Sequence, residues 1–115
     1  MGKNTRGGRG MTRPPAFDLP GDGYQELFVV ERRVPQVAER ELAMLQSALT
    51  EATRRFTARG EHVCYLRSIF LARQGRLISL FTAEDAETVK AVNEAALIPF
   101  ASIEPAVELP GAGQP

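Results

Sequence analysis

His62 and Cys64 are the residues with the most specific chemistry in this sequence. They are two apart at the start of an apolar run, and in a β-strand side chains at that spacing project from the same face. An imidazole nitrogen and a thiolate sulfur are ligands for borderline divalent metals. The chain contains no other histidine or cysteine, so a complete site would need carboxylates or a second chain. The alternative is that Cys64 acts as a small buried hydrophobe, as free cysteines commonly do.

Glu31, Arg67, Tyr65 and Ser68 form a second group of candidates, for binding a small ligand. Glu31 and Arg67 each interrupt an apolar strand face, so either they reach water at strand ends or they meet in a cavity as an ion pair that orients a polar ligand. Strict alternation places Tyr65 on the same face as Arg67, and Ser68 on the other face. We predict no catalytic residue, because no third residue is identifiable that would orient a Cys-His pair and no nucleotide or hydrolase motif is present.

The element that must position these residues is a predicted β-hairpin over residues 63–82. It consists of two apolar runs joined by Gln74-Gly75 and is rich in branched and aromatic residues. Apolar side chains lie on both faces of these strands, whereas the strands of a sheet with one solvent-exposed face would alternate apolar and polar residues. Helices can cover one face. We expect a second copy of the chain to cover the other, which predicts a homodimer that associates through the sheet face.

The other elements surround this hairpin in the order strand, helix, hairpin, helix, strand. Residues 25–33 form the first strand, with Phe28, Val30 and Arg32 on the face opposite Leu27, Val29 and Glu31. Pro35 opens a helix whose apolar stripe predicts packing on the sheet, and Gly60 ends it. Thr82 is predicted to cap the second helix, and Pro99 is predicted to end it. Residues 103–109 are predicted to form the last strand, which should be an edge strand because Pro105 has no N–H to donate. The resulting class is α+β, with a four-stranded antiparallel sheet of order 4-1-3-2 and two helices on one face.

Composition predicts one domain, at residues 24–109, between two disordered tails. Residues 1–23 form a basic tail rich in Gly, Pro and Arg, and residues 110–115 form a short second one. The first seventeen residues carry four basic side chains and no acid, so the rest has ten basic against fourteen acidic ones, a net charge of −4. That sign argues against nucleic-acid binding by the folded part. Without a secretory signal or an apolar run of membrane-spanning length, a cytoplasmic location is expected. Met11 leaves open a later translation start.

Several short segments resemble a bacterial family of unknown function that includes nickel-binding ferredoxin-like proteins. The resemblance covers roughly residues 26–108. The matching segments are Phe28-Val29-Val30-Glu31-Arg32 with Pro35, then Leu66-Arg67-Ser68, Ala83-Glu84-Asp85-Ala86-Glu87-Thr88-Val89, Leu97-Ile98-Pro99 and Ile103. The resemblance implies a ferredoxin-like βαββαβ fold that pairs into a dimeric α+β barrel, with nickel or another divalent metal as cofactor. It also places Glu31, Arg67 and Ser68 in a small pocket.

One departure from the family bears on the metal. Many relatives carry histidine in the last helix, in the pattern Val, Arg, any residue, His, where this chain reads Val89-Lys90-Ala91-Val92. We therefore expect a non-catalytic protein that binds a small ligand or a metal ion. The alternative is a small dimeric-barrel enzyme, such as an isomerase, a cyclase or a cofactor-free monooxygenase, which would draw acid-base chemistry from Glu31, His62, Tyr65 or Arg67.

Overall fold

Six elements follow one another along residues 25–35 and 37–112, the part of the chain described by this computed structural model. They are β1 (Glu26–Arg33), α1 (Glu39–Ala58), β2 (Val63–Leu71), β3 (Arg76–Ala83), α2 (Ala86–Ala95) and β4 (Ser102–Ala106). Residues 25–106 form one compact unit. The predicted tail at residues 1–23 lies outside the described residues, as do 113–115 of the second tail.

The four strands form one antiparallel sheet of order β2-β3-β1-β4. This is the predicted order, and together with the βαββαβ sequence of elements it confirms the ferredoxin-like α+β class. The central strand β1 pairs with β3 on one side, where Val30 is opposite Ser79, and with β4 on the other, where Val30 is opposite Ile103. The strand that carries Pro105 is therefore an edge strand, as expected of a residue without an N–H to donate.

Both helices pack on the sheet face formed by alternate residues of β1. Phe28 and Val30 are buried on that face, and the fully buried Leu49 of α1 and Val89 of α2 pack against them. The neighbouring residues of β1 face the other way and are only half-buried. We call that second side, defined by Leu27, Val29, Glu31, Thr82, Leu80, Ile78, Cys64, Arg67 and Ile69, the open face of the sheet.

The first helix begins later than Pro35, its predicted start. Val34 N donates a hydrogen bond to Gly75 O at 2.8 Å, which ties the end of β1 to the hairpin turn. The chain then continues to Ala38, whose N–H donates to Glu41 Oε1 at 3.0 Å, and the helix starts at Glu39. At the other end, Gly60 has φ +94° and its N–H donates to Thr57 O, so the predicted left-handed ending is confirmed.

Two further boundaries differ from prediction. Thr82 does not cap α2, because it lies within β3; the cap is Asp85, whose carboxylate accepts from Thr88 N at 2.9 Å. The last strand ends at Ala106 instead of residue 109. Its pairing with β1 stops at Ala106, which is opposite Leu27, one residue from the point where β1 begins. Among the described residues, no helix is both long and apolar enough to cross a membrane.

Candidate functional site

A β-bulge in β2 decides which candidate residues share a face. Tyr65 is opposite Phe81 on β3, but the next paired residue is Arg67, opposite Leu80, so Leu66 is the extra residue. One inserted residue reverses the alternation of every side chain beyond it. Arg67 is therefore on the open face, and Ser68 lies with Tyr65 on the face covered by the helices.

The expectation that Ser68 points away from Tyr65 is consequently wrong. Tyr65 Oη and Ser68 Oγ are hydrogen-bonded at 2.5 Å, and Ser68 Oγ is 2.7 Å from the hydroxyl of Ser79. The three hydroxyl groups form a chain that runs from half-buried Tyr65 and Ser68 to fully buried Ser79. The Tyr65 ring also packs on Phe81, with 5.1 Å between ring centroids, so its position is fixed by an aromatic contact as well as by the chain.

Glu31 pairs with Arg76 and not with Arg67, the partner considered from the sequence. Arg76 Nε donates to Glu31 Oε2 at 2.5 Å, and both side chains are about one-third exposed. This hydrogen bond is the main reason that the pKa of Glu31 is lowered from its usual value. A carboxylate with a lowered pKa is a weak base near neutral pH, so Glu31 is poorly suited to the enzyme alternative.

His62 immediately precedes β2 and Cys64 is the second residue of that strand, and both are exposed. The interpretation of Cys64 as a buried hydrophobe does not fit this position. Cys64 is opposite Thr82, which is opposite Leu27, so it lies on the open face. Within the described residues, no group of three or more His, Cys, Asp or Glu side chains could hold a metal ion, so a single chain does not supply a complete donor set.

In this chain the helix histidine that the family resemblance predicts corresponds to Val92. Its side chain is fully buried in the core between α2 and the sheet. Val92 is a core residue and cannot supply a metal ligand, so His62 and Cys64 stay the predicted ligands. The assignment of Glu31, Arg67, Ser68 and Tyr65 to ligand binding also stays a prediction, now with Glu31 and Arg67 on one face of the sheet and Tyr65 and Ser68 on the other.

The residue that the sequence interpretation missed is Arg32, which is 1% exposed beneath the helices. Its Nε donates to Pro99 O at 3.1 Å, and one terminal nitrogen donates to Asn93 Oδ1. Asn93 is itself fully buried and is held by a bond from its Nδ2 to Val89 O at 2.8 Å. The sequence did indicate this burial, because strand alternation places Arg32 on the same side of β1 as Phe28 and Val30.

Burial lowers the pKa of Arg32, an effect that the neighbouring Tyr65 partly opposes. Arginine nevertheless stays protonated in proteins, because its pKa starts far above neutrality. The interior between sheet and helices therefore contains a full positive charge, and no carboxylate of the described residues forms an ion pair with it.

Comparison with known proteins agrees with this architecture. A family model described as "Nickel responsive protein SCO4226-like" matches residues 28–105. The fold is similar to the crystal structure of SCO4226 from Streptomyces coelicolor A3(2), with a TM-score of 0.59 and 19% sequence identity over 76% of this chain and 99% of that one. No curated protein matches the sequence. Because the family model spans more than half of the chain, from β1 to β4, this protein belongs to the SCO4226-like family of nickel responsive proteins.

Proposed function

We propose that the protein is a non-catalytic metal-ion-binding protein, that nickel is its ion, and that His62 and Cys64 supply ligands. The observation that supports this proposal is the exposure of Cys64 on the open face, two residues from the exposed His62. A thiolate and an imidazole are ligands that nickel accepts. The description of the family as nickel responsive supports the choice of ion.

The remaining ligands come from a second copy of the chain. Glu104 of β4 is also on the open face, opposite Val29. However, β4 and β2 are the two opposite edge strands of the sheet. Three strand spacings of about 4.8 Å separate these edges by roughly 14 Å, too far for Glu104 to join Cys64 on one ion within a chain. A twofold dimer formed by stacking two open faces would give each ion ligands from both chains.

Apolar side chains at the centre of the open face support that dimer. Leu27, Val29, Ile78 and Leu80 adjoin one another on β1 and β3 and are half-buried in the single chain, and Ile69 on β2 is 48% exposed. Contiguous apolar surface of this kind is typical of an interface. The proposed dimer and the proposed metal site thus use the same face.

The test is metal retention by untagged protein that has been stripped with chelator, dialysed against nickel sulfate or zinc sulfate, and then analysed for metal content. We expect about one nickel ion per two chains, because each chain supplies only half of a four-ligand site. Cys64→Ser and His62→Asn should each lower retention at least tenfold, while Glu87→Gln, an exposed acid on α2, should leave it unchanged. Nickel bound equally by Cys64→Ser and the unmodified chain would contradict the proposal, as would a metal-free unmodified protein.

A further inference from the structure

One nitrogen of the Arg32 guanidinium makes no hydrogen bond to the described residues. Nε is bonded to Pro99 O and one terminal nitrogen to Asn93 Oδ1, but the other terminal nitrogen, Nη1, is buried and has no hydrogen-bond partner among the described residues. Buried polar atoms are nearly always hydrogen-bonded, and those that are not need a specific explanation. Two of the three nitrogens have neutral acceptors, and no carboxylate of the described residues forms an ion pair with the charge.

Asn93 makes this arrangement rigid. Its Nδ2 donates to Val89 O within α2, which leaves only Oδ1 to face Arg32. The amide therefore cannot turn to offer a second acceptor to the free nitrogen. Pro99, in the loop between α2 and β4, holds the opposite side of the guanidinium. Nη1 is the nitrogen without a partner among the described residues, and the contacts to Asn93 and Pro99 set its position.

The hydroxyl chain of Tyr65, Ser68 and Ser79 lies on the same face of the sheet as Arg32. Ser79 is opposite Val30, two residues from Arg32 on β1, so Ser79 and Arg32 are diagonal neighbours at about 7 Å between Cβ atoms. Three hydroxyl groups joined by two hydrogen bonds leave one O–H hydrogen unused. When the chain donates from Tyr65 through Ser68 toward Ser79, that hydrogen belongs to the buried Ser79.

We propose that Arg32 is the binding point for an oxyanion group, the carboxylate or phosphate of a small ligand, held between the sheet and α2. Nη1 donates to the anionic oxygen, and Ser79 supplies a second donor from the hydroxyl chain. Hydrogen bonds between a charged donor and a charged acceptor are the strong ones, and an anion here would neutralise the buried charge. The site is separate from the open face, so it does not depend on the proposed nickel site.

The loop that joins α2 to β4 contacts the Arg32 guanidinium through Pro99. In this loop Leu97 has φ +62° and is 87% exposed, a backbone conformation that a leucine rarely adopts. The Pro99 carbonyl two residues later is the one that covers Arg32. Displacement of this loop would release the Arg32 guanidinium from its contact with Pro99.

The experiment measures unfolding midpoints of the full chain in sodium acetate and in sodium phosphate, each compared with sodium chloride at equal ionic strength. Ligands that bind only the folded state lower the unfolding equilibrium constant by the factor 1 + [L]/Kd. We expect a saturable rise of the midpoint with at least one anion, corresponding to a tenfold or larger decrease in that constant. Acetate acting alone identifies a carboxylate ligand, and phosphate acting alone identifies a phosphate ligand.

Arg32→Met should abolish the anion effect, whereas the matched control Arg73→Met, which removes an exposed arginine from the hairpin turn, should retain it. A second measurement does not depend on the folding of Arg32→Met: NMR of the Arg32 Nε–H signal in the unmodified protein, with Arg73 as internal reference. Saturable movement of the Arg32 signal alone supports the site. Equal stabilisation of all variants, or an Arg32 signal that neither anion moves, would overturn it.

Discussion

Asp85 shows how one side chain ties the stability of a helix to pH. Its carboxylate accepts hydrogen bonds from Thr88 N at 2.9 Å and from Thr88 Oγ1 at 2.8 Å. Both bonds lower the pKa of Asp85 from its usual value, and the bond from the backbone N–H of Thr88 has the larger effect. A lowered folded-state pKa means that the ionised form is favoured by folding, so this contribution to stability is present above the pKa of the unfolded chain and is lost as pH falls through the folded-state pKa.

We predict that Asp85→Ala destabilises the protein by about 1 kcal/mol at pH 7, because an N-cap acceptor is lost. Asp85→Asn keeps an acceptor and should cost less. Both variants should lose the part of the acid dependence that Asp85 contributes, so the difference in stability from the unmodified protein should shrink as pH falls below about 4. Urea unfolding from pH 3 to 7 measures this. A difference that stays constant over that range would show that the ionised carboxylate is not the capping species.

Arg32 and Glu31 are adjacent in sequence and have opposite surroundings. Glu31 is on the open face, reaches Arg76 and keeps partial contact with water. Arg32, one residue further and on the other side of the pleat, is enclosed by Asn93 and the Pro99 carbonyl. Of these two charged side chains, the buried one is the one that has no ionic partner among residues 25–35 and 37–112, and for this reason we propose an anion site at Arg32.

At the scale of the elements, the two helices end in the same way but with different residues. After α1, Gly60 occupies the left-handed position, and Gly60 N and Glu61 N donate back to Thr57 O and Phe56 O. After α2, Leu97 takes that position with φ +62°, and its N–H donates to Glu94 O at 3.0 Å. Glycine adopts this conformation without steric cost, whereas leucine does not.

Leu97→Gly is therefore predicted to stabilise the protein by about 0.5–1 kcal/mol, since it removes backbone strain while Leu97 is too exposed to lose much packing. The reciprocal control is Gly60→Ala. No atom lies within 4 Å of a Cβ built at Gly60, so the expected loss of about 1 kcal/mol comes from backbone strain alone. Chemical denaturation of the three proteins checks both signs. A destabilised Leu97→Gly would mean that the leucine side chain makes a contact worth more than the strain.

The bulge at Leu66 is the element-scale feature with the largest effect on the candidate site. It brings Ser68 to the side of Tyr65 and Ser79 and turns Arg67 to the open face. The hydroxyl chain exists only because of this one-residue shift. β2 is an edge strand, which is where bulges are commonly found.

At the scale of the whole molecule, we predict a homodimer formed through the open face. Burial of about 600 Å² of apolar surface per chain, at about 25 cal/mol per Å², would give on the order of 30 kcal/mol for the pair before the costs of association. Sedimentation equilibrium at low micromolar concentration should give about twice the 12.6 kDa mass of one chain.

Leu80→Asp, at the centre of the open face, should shift the protein to monomer, because it would bury a charge in the interface. Met44→Asp, an equally polar change at a residue of α1 that is 65% exposed, should leave the mass unchanged. A folded monomer for the unmodified chain would overturn the dimer, and with it the proposal that two chains complete the nickel site.

The sequence by itself determined the order of the elements and the family. Alternation in β1 assigned Phe28 and Val30 to one side and Leu27 and Val29 to the other, and Gly60 marked the end of α1, because these features depend on local periodicity and backbone sterics. The resemblance in short segments from Phe28 to Ile103 is confirmed by the match to the family model over residues 28–105.

The tertiary structure alone decided which polar side chains meet. β2 is apolar on both sides, from Tyr65 and Leu66 to Ile69 and Phe70, so its alternation could not reveal the bulge. The pairing of Glu31 with Arg76 follows from the register between β1 and β3, and the enclosure of Arg32 depends on Asn93 and Pro99, more than sixty residues away. Contacts over such separations are set by packing and register, which local patterns do not encode.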